Sequence, residues 1–392
     1  MTSPSPLRSP DNEPVSVQLR SYHPCFTEFL NPAHNGQKHM QAALLREAFK
    51  RFHARQVGVK HTEPTRILDV SCGPGDYSAT WTEQVAPFLP QGMQFYCTDF
   101  RGGQCDDGEK YTDATIRKVR AKATTGGLRL AGEPIGVQAD LFVGGDAIIP
   151  TGHQAHILHW SHSGYHVRDA LKEQKDDPAA IKAGLNTAVD KMWDALDEKG
   201  LMFSVHQTND MSDGIPSEMF PVAKKYLKVL DDVPARIAER IREKGGHVAT
   251  VNFATPLDFP NMAITSRWEA LKDPKAWDYL DTDQQRALRL LGFIAYDFTN
   301  PEGKSSLEVL AERDRAAGGH AADGLKAFVD EYRAVAINHR GHINVKCAFQ
   351  MICKSPEVAA QLDQIAGELN ESMPAYRHEM RKEMLKAAGI RI

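Results

Sequence analysis

The sequence lacks the features of several large classes of protein. Its 392 residues carry a formal net charge of −4, so there is no excess of Lys and Arg that could form a broad nucleic-acid surface. No apolar run reaches the roughly eighteen residues of a membrane span, and the first residues have no apolar core of the kind that a secretory signal needs. We therefore expect a cytoplasmic protein that binds a small molecule, and neither nucleic acid nor a membrane.

Cysteine is scarce, and its spacing does not suit cross-linking or metal binding. No C-x-x-C pair is present, which is more typical of reduced thiols than of a disulfide or zinc framework. Histidines cluster between 153 and 166, but His156 and His162, which would share one strand face, would lie roughly 20 Å apart. We predict no metal site, and we expect His156 and His159 to be structural. The six cysteines are Cys25, Cys72, Cys97, Cys105, Cys347 and Cys353.

Apolar residues recur along the chain with two different spacings. Short apolar runs of strand length alternate with segments of helical spacing, which predicts a parallel sheet with helices on both faces. The fold class is therefore a doubly wound, mostly parallel α/β sheet whose last strand runs antiparallel to the rest. The strand-like runs are TRILDVS, MQFYCTDF, HILHWS, GLMFSVHQ, HVATVNF and INVKCAFQMICK; the helical patterns include HMQAALLREAFKRFHARQ, LNTAVDKMWDALDEKG and PARIAERIREKGG.

The composition divides the chain into four parts. Residues 1–14 are rich in Pro and Ser, and we expect a disordered tail there. A core with an N-terminal cap helix is assigned to 15–258 and 342–354. A helical insertion that acts as a lid is assigned to 259–341, and a helical tail to 355–392.

A glycine turn follows the first predicted strand, in the stretch RILDVSCGPGDYSATW. Gly73 and Gly75 allow the backbone to approach a ligand at the N-terminus of the next helix. A dinucleotide fingerprint would have a third glycine or alanine where this chain has Ser78, and a P-loop would have Gly-Lys-Ser or Gly-Lys-Thr after the turn. The turn therefore favours a nucleotide-like ligand, argues against NAD and excludes a P-loop.

Four segments, in order, resemble the motifs of class I S-adenosylmethionine-dependent methyltransferases. ILDVSCGPGDYS resembles the first motif, with Ser71 in the place of the usual first glycine. YCTDF resembles the end of the second strand, GVQADLF the exit of the third, and HILHWSHSGYHV the fourth-strand motif. FLNPAHNGQKHMQ is further similar to the N-terminal stretch of small-molecule members such as histamine N-methyltransferase. The resemblance covers roughly residues 20 to 258 and 342 to 354, although the insertion is longer than the hairpin typical of the family.

The resemblance implies a binding site for S-adenosylmethionine at the ends of these strands. Asp99 would accept hydrogen bonds from the two ribose hydroxyls, and either Asp140 or Asp146 would bind the adenine amine. Ser161 and His162 would lie near the cofactor. The cofactor-binding residues so implied are Asp69, Ser71, Gly73, Gly75, Asp99, Phe100, Asp140, Leu141, Ser161 and His162.

Catalytic and substrate residues follow from the same resemblance. Tyr165 and His166 would lie near the transferred methyl group, and His206, at the end of the fifth predicted strand, is a third candidate for a general base. The substrate residues we expect are Tyr22, Phe26, Gln37 and Tyr296. An aromatic lid over the sulfonium could be formed by Tyr22, Phe26 and Phe29, and a pocket wall by Trp277, Tyr279, Phe293, Tyr296 and Phe298, with core packing as the competing interpretation for both groups.

The predicted reaction is methyl transfer from S-adenosylmethionine to a nitrogen or oxygen of a small metabolite. The sulfonium is already a strong electrophile, so the protein mainly has to align the reactants and exclude water. Two alternatives stay open: attack on the aminocarboxypropyl chain with release of methylthioadenosine, and a non-catalytic protein that retains the cofactor site. A nicotinamide oxidoreductase is more distant. The oligomeric state is open, with a homodimer as one arrangement.

Overall fold

The computed structural model contains one mixed sheet flanked by helices. It describes residues 37–58, 60, 62–105, 107–171, 174, 177–208, 210, 232–258 and 342–387. The predicted disordered tail and the predicted helical insertion lie outside the described residues. In chain order the elements are α1 (Gln37–Arg55), β1 (Thr65–Val70), α2 (Asp76–Val85), β2 (Met93–Asp99), α3 (Tyr111–Thr124), β3 (Ile135–Gln138), β4 (Ala155–Ser161), α4 (Val167–Leu171), α5 (Pro178–Ala195), β5 (Leu196–Gln207), α6 (Val233–Glu243), β6 (His247–Asp258), β7 (His342–Cys353) and α7 (Pro356–Ala387).

The seven strands form one sheet in the order β3-β2-β1-β4-β5-β7-β6. Neighbouring strands from β3 to β5 are parallel, whereas β7 lies antiparallel to both β5 and β6. The predicted doubly wound, mostly parallel sheet with an antiparallel last strand is therefore confirmed. The strand order reverses between β1 and β4, and in sheets of this kind ligands bind outside the carboxyl ends of the strands at that point.

The register around the reversal places four side chains side by side. Asp69 of β1 is paired with Cys97 of β2 on one side and with His159 of β4 on the other. His159 is in turn paired with Phe203 of β5. Directly paired residues project to the same face of a sheet, so these four side chains form a row across its centre.

Helices cover both faces of the sheet. One face packs against α1, α2, α3 and α7, and its centre contains Phe49, Phe52 and Phe203, whose rings lie 5.4 to 6.4 Å apart. The opposite face packs against α4, α5 and α6 around Trp160. The two-sided burial explains why the predicted strands are almost continuously apolar.

Helix α1 lies where the helical spacing predicted a helix, and its predicted apolar stripe is buried. Arg51 and Arg55 bind the carboxylate of Glu368 on α7, with nitrogen–oxygen distances of 3.1 and 2.5 Å. Helix α1 is thus held between the sheet and α7. The stripe, fully buried, consists of Met40, Leu44, Leu45, Ala48, Phe49 and Phe52.

One boundary differs from the sequence prediction. The helical pattern LNTAVDKMWDALDEKG was expected to continue to residue 200, but α5 ends at Ala195. Leu196 is instead the first residue of β5, fully buried and paired with Ala155 next to a β-bulge. The third strand ends at Gln138, so Asp140 lies in the loop beyond it. Among the described helices, none has the length and apolarity needed to cross a lipid bilayer.

Candidate functional site

Two residues with left-handed backbone lie at the carboxyl ends of β1 and β4. Ser71 has φ of 56° and His162 has φ of 50°. This region is unfavourable for residues with a side chain, at a cost of about 1 to 3 kcal/mol each, and such strain clusters at functional sites. Ser71 occupies the place where the resembled family has glycine, and it adopts the conformation that glycine would tolerate. The strained pair flanks the point where the strand order reverses, which marks this crevice as the candidate site.

The glycine turn between β1 and α2 uses its two glycines differently. Gly73 has φ of 55°, and a Cβ added there would meet nothing within 4 Å, so its face is open to a ligand. Gly75 has φ of 83°, and an added Cβ would lie 2.4 Å from the Cα of Thr115 on α3. Thr115 also donates from its hydroxyl to the carbonyl of Gly73 at 3.0 Å. Gly75 therefore allows α2 and α3 to pack, while Gly73 leaves room beside the crevice.

Asp99, the last residue of β2, holds its carboxylate against the glycine turn. Its two oxygens accept hydrogen bonds from the backbone amides of Gly73, at 2.7 Å, and Phe100, at 2.9 Å. Burial raises the pKa of this carboxyl to about 6, despite the opposing effect of the two amides and of the nearby His166 charge. Each oxygen retains a lone pair, so Asp99 can accept two further hydrogen bonds, as the ribose assignment requires. Phe100, beside it, is 53% exposed.

Asp69 was also expected to bind the cofactor, but its carboxylate is engaged by side chains. One oxygen lies 2.8 Å from Nδ1 of His159, and the other accepts from the indole of Trp81 at 3.4 Å. Asp69 is 3% exposed and His159 is 1% exposed. The structure therefore places Asp69 in a buried side-chain cluster below the turn, and its assigned role as a direct cofactor contact stays a prediction.

Two polar atoms beside this cluster are buried without a hydrogen-bond partner among the described residues. They are Nε2 of His159 and the hydroxyl of Tyr77 on α2. The ring centroids of Tyr77 and His159 lie 5.6 Å apart, and those of Trp81 and His159 lie 4.8 Å apart. Burial, and secondly the charge of Asp69, raises the pKa of Tyr77 well above its usual value. Leaving such groups unpaired costs about 1 to 3 kcal/mol each, so a polar ligand group that formed hydrogen bonds with Nε2 of His159 and the Tyr77 hydroxyl would be stabilised.

Two further histidines lie on the β4 and β5 side of the crevice, with one ring nitrogen of His162 and both ring nitrogens of His206 engaged. His162 contacts the side-chain amide of Gln41 on α1. His206 has Nδ1 3.0 Å from the hydroxyl of Ser204 and accepts at Nε2 from the backbone amide of Gly164 at 3.2 Å. Burial lowers the pKa of His162 to about 3, and burial lowers the pKa of His206 well below its usual value. Both are therefore neutral near pH 7 and poor proton acceptors, and the proposed base role of His206 stays a prediction.

The loop after β3 distinguishes the two candidates for the adenine amine. Asp146 has one oxygen 2.7 Å from Arg101 and accepts with the other from the backbone amide of Asp140 at 3.4 Å. The carboxylate of Asp140 has no hydrogen bond within the described part of the chain, and Lys191 fixes the loop by donating to the carbonyls of Asp140 and Val143. The Asp140 carboxylate is thus the less engaged of the two, and its role at the adenine amine stays a prediction. Leu141, also expected at the cofactor, is buried in the core under α5.

The remaining predicted residues fall into two groups. Tyr165 and His166 lie in the turn after β4 with rings 4.4 Å apart, both partly exposed, and Ser161 ends β4. Gln37 is buried at the start of α1 and donates to the thiol of Cys347 at 3.0 Å. The expected lid and pocket-wall aromatics lie outside the described residues. They are Tyr22, Phe26, Phe29, Trp277, Tyr279, Phe293, Tyr296 and Phe298.

Sequence reasoning missed the side chains that hold the β1–β4 row together. His159 was interpreted as structural, while Tyr77, Trp81 and Gln41 were not singled out. The spacing of Tyr77 and Trp81, four residues apart on a helix that starts at the glycine turn, was the available signal, because such residues share one helix face. Nothing in the sequence pairs Asp69 with His159, which lie 90 residues apart.

Potential metal ligands occur in one place outside the crevice among the described residues. Ligand atoms of Cys105, Asp107 and Glu109 lie within 4.8 Å of one another on the surface near α3. Glu109, however, is paired with Arg117 at 2.6 Å. The predicted absence of a metal site stays a prediction.

Comparisons with known proteins give structural likenesses only. No family model matches the chain, and no curated protein sequence matches it. An O-methyltransferase family protein from Burkholderia thailandensis is 16% identical with a TM-score of 0.34, over 54% of this chain and 51% of that one. Methyltransferases described as S-adenosylmethionine-dependent, from Thiobacillus denitrificans (12% identical) and Geobacter sulfurreducens (11%), each cover 78% of this chain and 90% of their own, with TM-scores of 0.34. Both were crystallised with S-adenosylhomocysteine. At such low scores, the assignment of function rests on the residues of the site.

Proposed function

We propose that this protein binds S-adenosylmethionine in the crevice between β1 and β4 and transfers its methyl group to a nitrogen or oxygen of a small metabolite. The observation that carries the proposal is the carboxylate of Asp99, fixed 2.7 Å from the amide of Gly73 at the open face of the glycine turn. A buried carboxylate with two free lone pairs, at the end of the second strand, suits the adjacent hydroxyls of a ribose.

The charges around the crevice also support a cationic cofactor. His162 and His206 are neutral near pH 7, because burial holds their pKa values down. Asp69 and Asp99 contribute carboxyl groups below the turn. A positively charged sulfonium would therefore meet no cationic histidine from these two positions. The rings of Trp81 and Tyr77, 4.8 and 5.6 Å from the ring of His159, would also favour a cation nearby.

The residues that would hold the cofactor act by binding, orientation and exclusion of water. Asp99 would bind the ribose hydroxyls, Asp140 the adenine amine, and the open face of Gly73 would admit the chain between them. When bound, S-adenosylmethionine supplies an electrophilic methyl group on sulfur. Helix α1 would help to exclude water from the crevice, since Gln37 and Gln41 are 2% and 1% exposed and Gln41 contacts His162. Alignment and dryness of this kind account for much of the rate in such transfers.

Calorimetry on the purified chain tests the cofactor. S-adenosylhomocysteine is expected to bind and NAD is not. Asp99→Ala should weaken S-adenosylhomocysteine binding by roughly 1.5 to 3 kcal/mol, the scale of hydrogen bonds to a charged group. Asp76→Ala is the matched control, because Asp76 is an exposed carboxylate in the same turn, paired with Lys118. Tighter binding of NAD, or equal affinity of the Asp99 variant and the wild type, would contradict the assignment.

Chromatography of the spent cofactor tests the reaction. Methyl transfer leaves S-adenosylhomocysteine, whereas attack on the aminocarboxypropyl chain leaves methylthioadenosine. We expect S-adenosylhomocysteine in the presence of a small-molecule acceptor. Accumulation of methylthioadenosine would replace the proposal with the alternative chemistry, and binding without any turnover would favour the non-catalytic protein.

A further inference from the structure

We propose that His159, oriented by Asp69, is the proton acceptor of the reaction, and that the nucleophile is an amine that arrives as its ammonium ion. The inference rests on the proposed function and deepens it, because it assigns a catalytic residue and narrows the acceptor from nitrogen or oxygen to nitrogen. It concerns a histidine that sequence analysis interpreted as structural.

The geometry of the Asp69–His159 pair fixes the state of the imidazole. A carboxylate can only accept a hydrogen bond, so the 2.8 Å contact to Asp69 places a proton on Nδ1 of His159. Nε2 of the neutral ring then carries the lone pair, and this is the atom that has no partner within the described residues. Asp69 is itself held by the indole of Trp81. The arrangement orients a base and stabilises the imidazolium that forms when it takes a proton.

Other histidines of the crevice are worse placed for this task. Both ring nitrogens of His206 are hydrogen-bonded, to Ser204 and to the amide of Gly164. His162 is engaged by Gln41, and burial lowers its pKa to about 3. Of these three histidines, His159 alone combines a carboxylate partner with an unpaired nitrogen.

The surroundings of Nε2 favour an ammonium ion as the proton donor. The ring centroids of Tyr77 and Trp81 lie 5.6 and 4.8 Å from that of the imidazole, and the Tyr77 hydroxyl is buried without a partner among the described residues. Asp69 adds a carboxylate to the same cluster. Aromatic faces and a carboxylate attract a cation, and an ammonium has N–H groups for both Nε2 and the Tyr77 oxygen. A neutral alcohol would gain less from these groups.

The proton and electron pairs balance as follows. The ammonium N–H bond breaks, its proton goes to Nε2 of His159, and the nitrogen keeps the electron pair. That pair forms the new bond to the methyl carbon. The bond between this carbon and sulfur breaks, and the electrons of the broken bond stay on sulfur, which becomes a neutral thioether. The imidazolium, paired with Asp69, later releases the proton to water.

Several titratable groups face His159 from the elements around it. They are Asp69 on β1, Tyr77 on α2, His162 after β4 and His206 on β5; Asp99 on β2 interacts with Asp69. Burial raises the pKa of Asp99 to about 6. Rates are therefore compared only above pH 7, where the ionisation of Asp99 changes little.

The test compares His159→Gln with the wild type between pH 7 and 9.5. Release of S-adenosylhomocysteine or methylthioadenosine is measured with a panel of small amines, each paired with the alcohol of the same skeleton, and with S-adenosylmethionine alone, whose own amine is then the only nucleophile. The wild type should use amines and not alcohols. At pH 7 the variant should lose about 10²- to 10⁴-fold in rate. This defect should shrink about tenfold per pH unit as the free amine forms without a base.

His156→Gln is the matched control, because His156 is equally buried on the same strand but lies at its other end, where Nδ1 accepts from the amide of Arg66. It should keep the wild-type pH profile. Asp69→Asn provides a second variant if His159→Gln does not fold, and it should show a smaller, likewise pH-dependent defect. Nitrogen-15 NMR of the wild type saturated with S-adenosylhomocysteine should show that Nδ1 of His159 carries a proton and that Nε2 is unprotonated.

Each outcome separates the two proposals. If the wild type uses amines but the rate defect of His159→Gln is absent, or does not change with pH, the base role is overturned and methyl transfer still stands. A proton on Nε2 in the NMR spectrum has the same meaning. Preference for alcohols overturns the acceptor class. A wild type that binds S-adenosylmethionine but releases no S-adenosylhomocysteine with any member of the panel, with or without release of methylthioadenosine, overturns the proposed function, and this inference with it.

Discussion

Asp99 and Asp69 are both buried carboxylates near the glycine turn, but the chain holds them in different ways. Asp99 accepts from two backbone amides, one of them its immediate neighbour. Asp69 accepts from two side chains, His159 and Trp81, that arrive from another strand and a helix. Backbone donors remain whatever residues surround them, whereas side-chain donors are lost with a single substitution. The β1–β2 end of the crevice is therefore robust to mutation and the β1–β4 end is specific to this sequence.

The largest effect is expected where a side-chain partner is removed from a buried pair. Asp69→Ala should cost about 2 to 6 kcal/mol of unfolding free energy, because His159 and the Trp81 indole would both lose their acceptor, at about 1 to 3 kcal/mol each. Urea unfolding measures the loss, with the exposed Asp76→Ala expected within about 0.5 kcal/mol of the wild type. A loss below about 1 kcal/mol would mean that the pair contributes no more than a surface contact.

The two glycines of the turn should differ in their tolerance. Gly75→Ala should cost about 2 to 4 kcal/mol, since it combines left-handed backbone with a Cβ 2.4 Å from Thr115. Gly73→Ala should cost only about 1 to 2 kcal/mol, because the space beside it is open and the backbone term alone remains. Equal losses in chemical denaturation would remove the distinction between a packing glycine and a ligand-facing one.

Ionisation of Asp99 should appear in the pH dependence of stability. Its folded pKa of about 6 lies above the ordinary value of 3.8. As the pH rises from the ordinary value to the folded one, the folded state therefore loses stability relative to a protein with a neutral side chain at this position. The stability of Asp99→Asn relative to the wild type should therefore rise by up to about 3 kcal/mol between pH 4 and pH 7. Thermal or urea unfolding at several pH values gives the slope, and a flat difference would show that Asp99 ionises normally in the fold.

The smallest effect is expected at Ser71. Its φ of 56° is unfavourable for serine, and glycine adopts it freely. Ser71→Gly should stabilise the fold by up to about 1 kcal/mol. No gain in the urea midpoint would mean that the serine side chain compensates for its backbone strain. Ser71 would then be held by side-chain contacts, as Asp69 is, and would not behave like Gly73, where only backbone freedom matters.

The sequence predicted the parts of the fold that follow from local spacing. The apolar runs became strands, and the helical stripe from Met40 to Phe52 became the buried side of α1. Asp99 and Gly73 were both singled out because each follows or ends a recognisable strand. The pair of Asp69 and His159 was missed, because it exists only once β4 lies beside β1 in a given register. The end of α5 was misplaced because Leu196 suits both a helix and a strand, and its pairing with Ala155 decided between them.

The pairing of β6 with β7 has a consequence for how this protein can evolve. Asp258 and His342 are register partners, so the chain leaves the sheet and returns to it at adjacent positions. Strand β6 is parallel to β5, which puts both positions at the edge where the crevice opens. Doubling the length of such a connection costs only about 0.6 kcal/mol of closure entropy. Insertions, deletions or replacement of 259–341 can therefore accumulate between two fixed anchor points while the register of the sheet, and with it the edge where the crevice opens, is inherited unchanged.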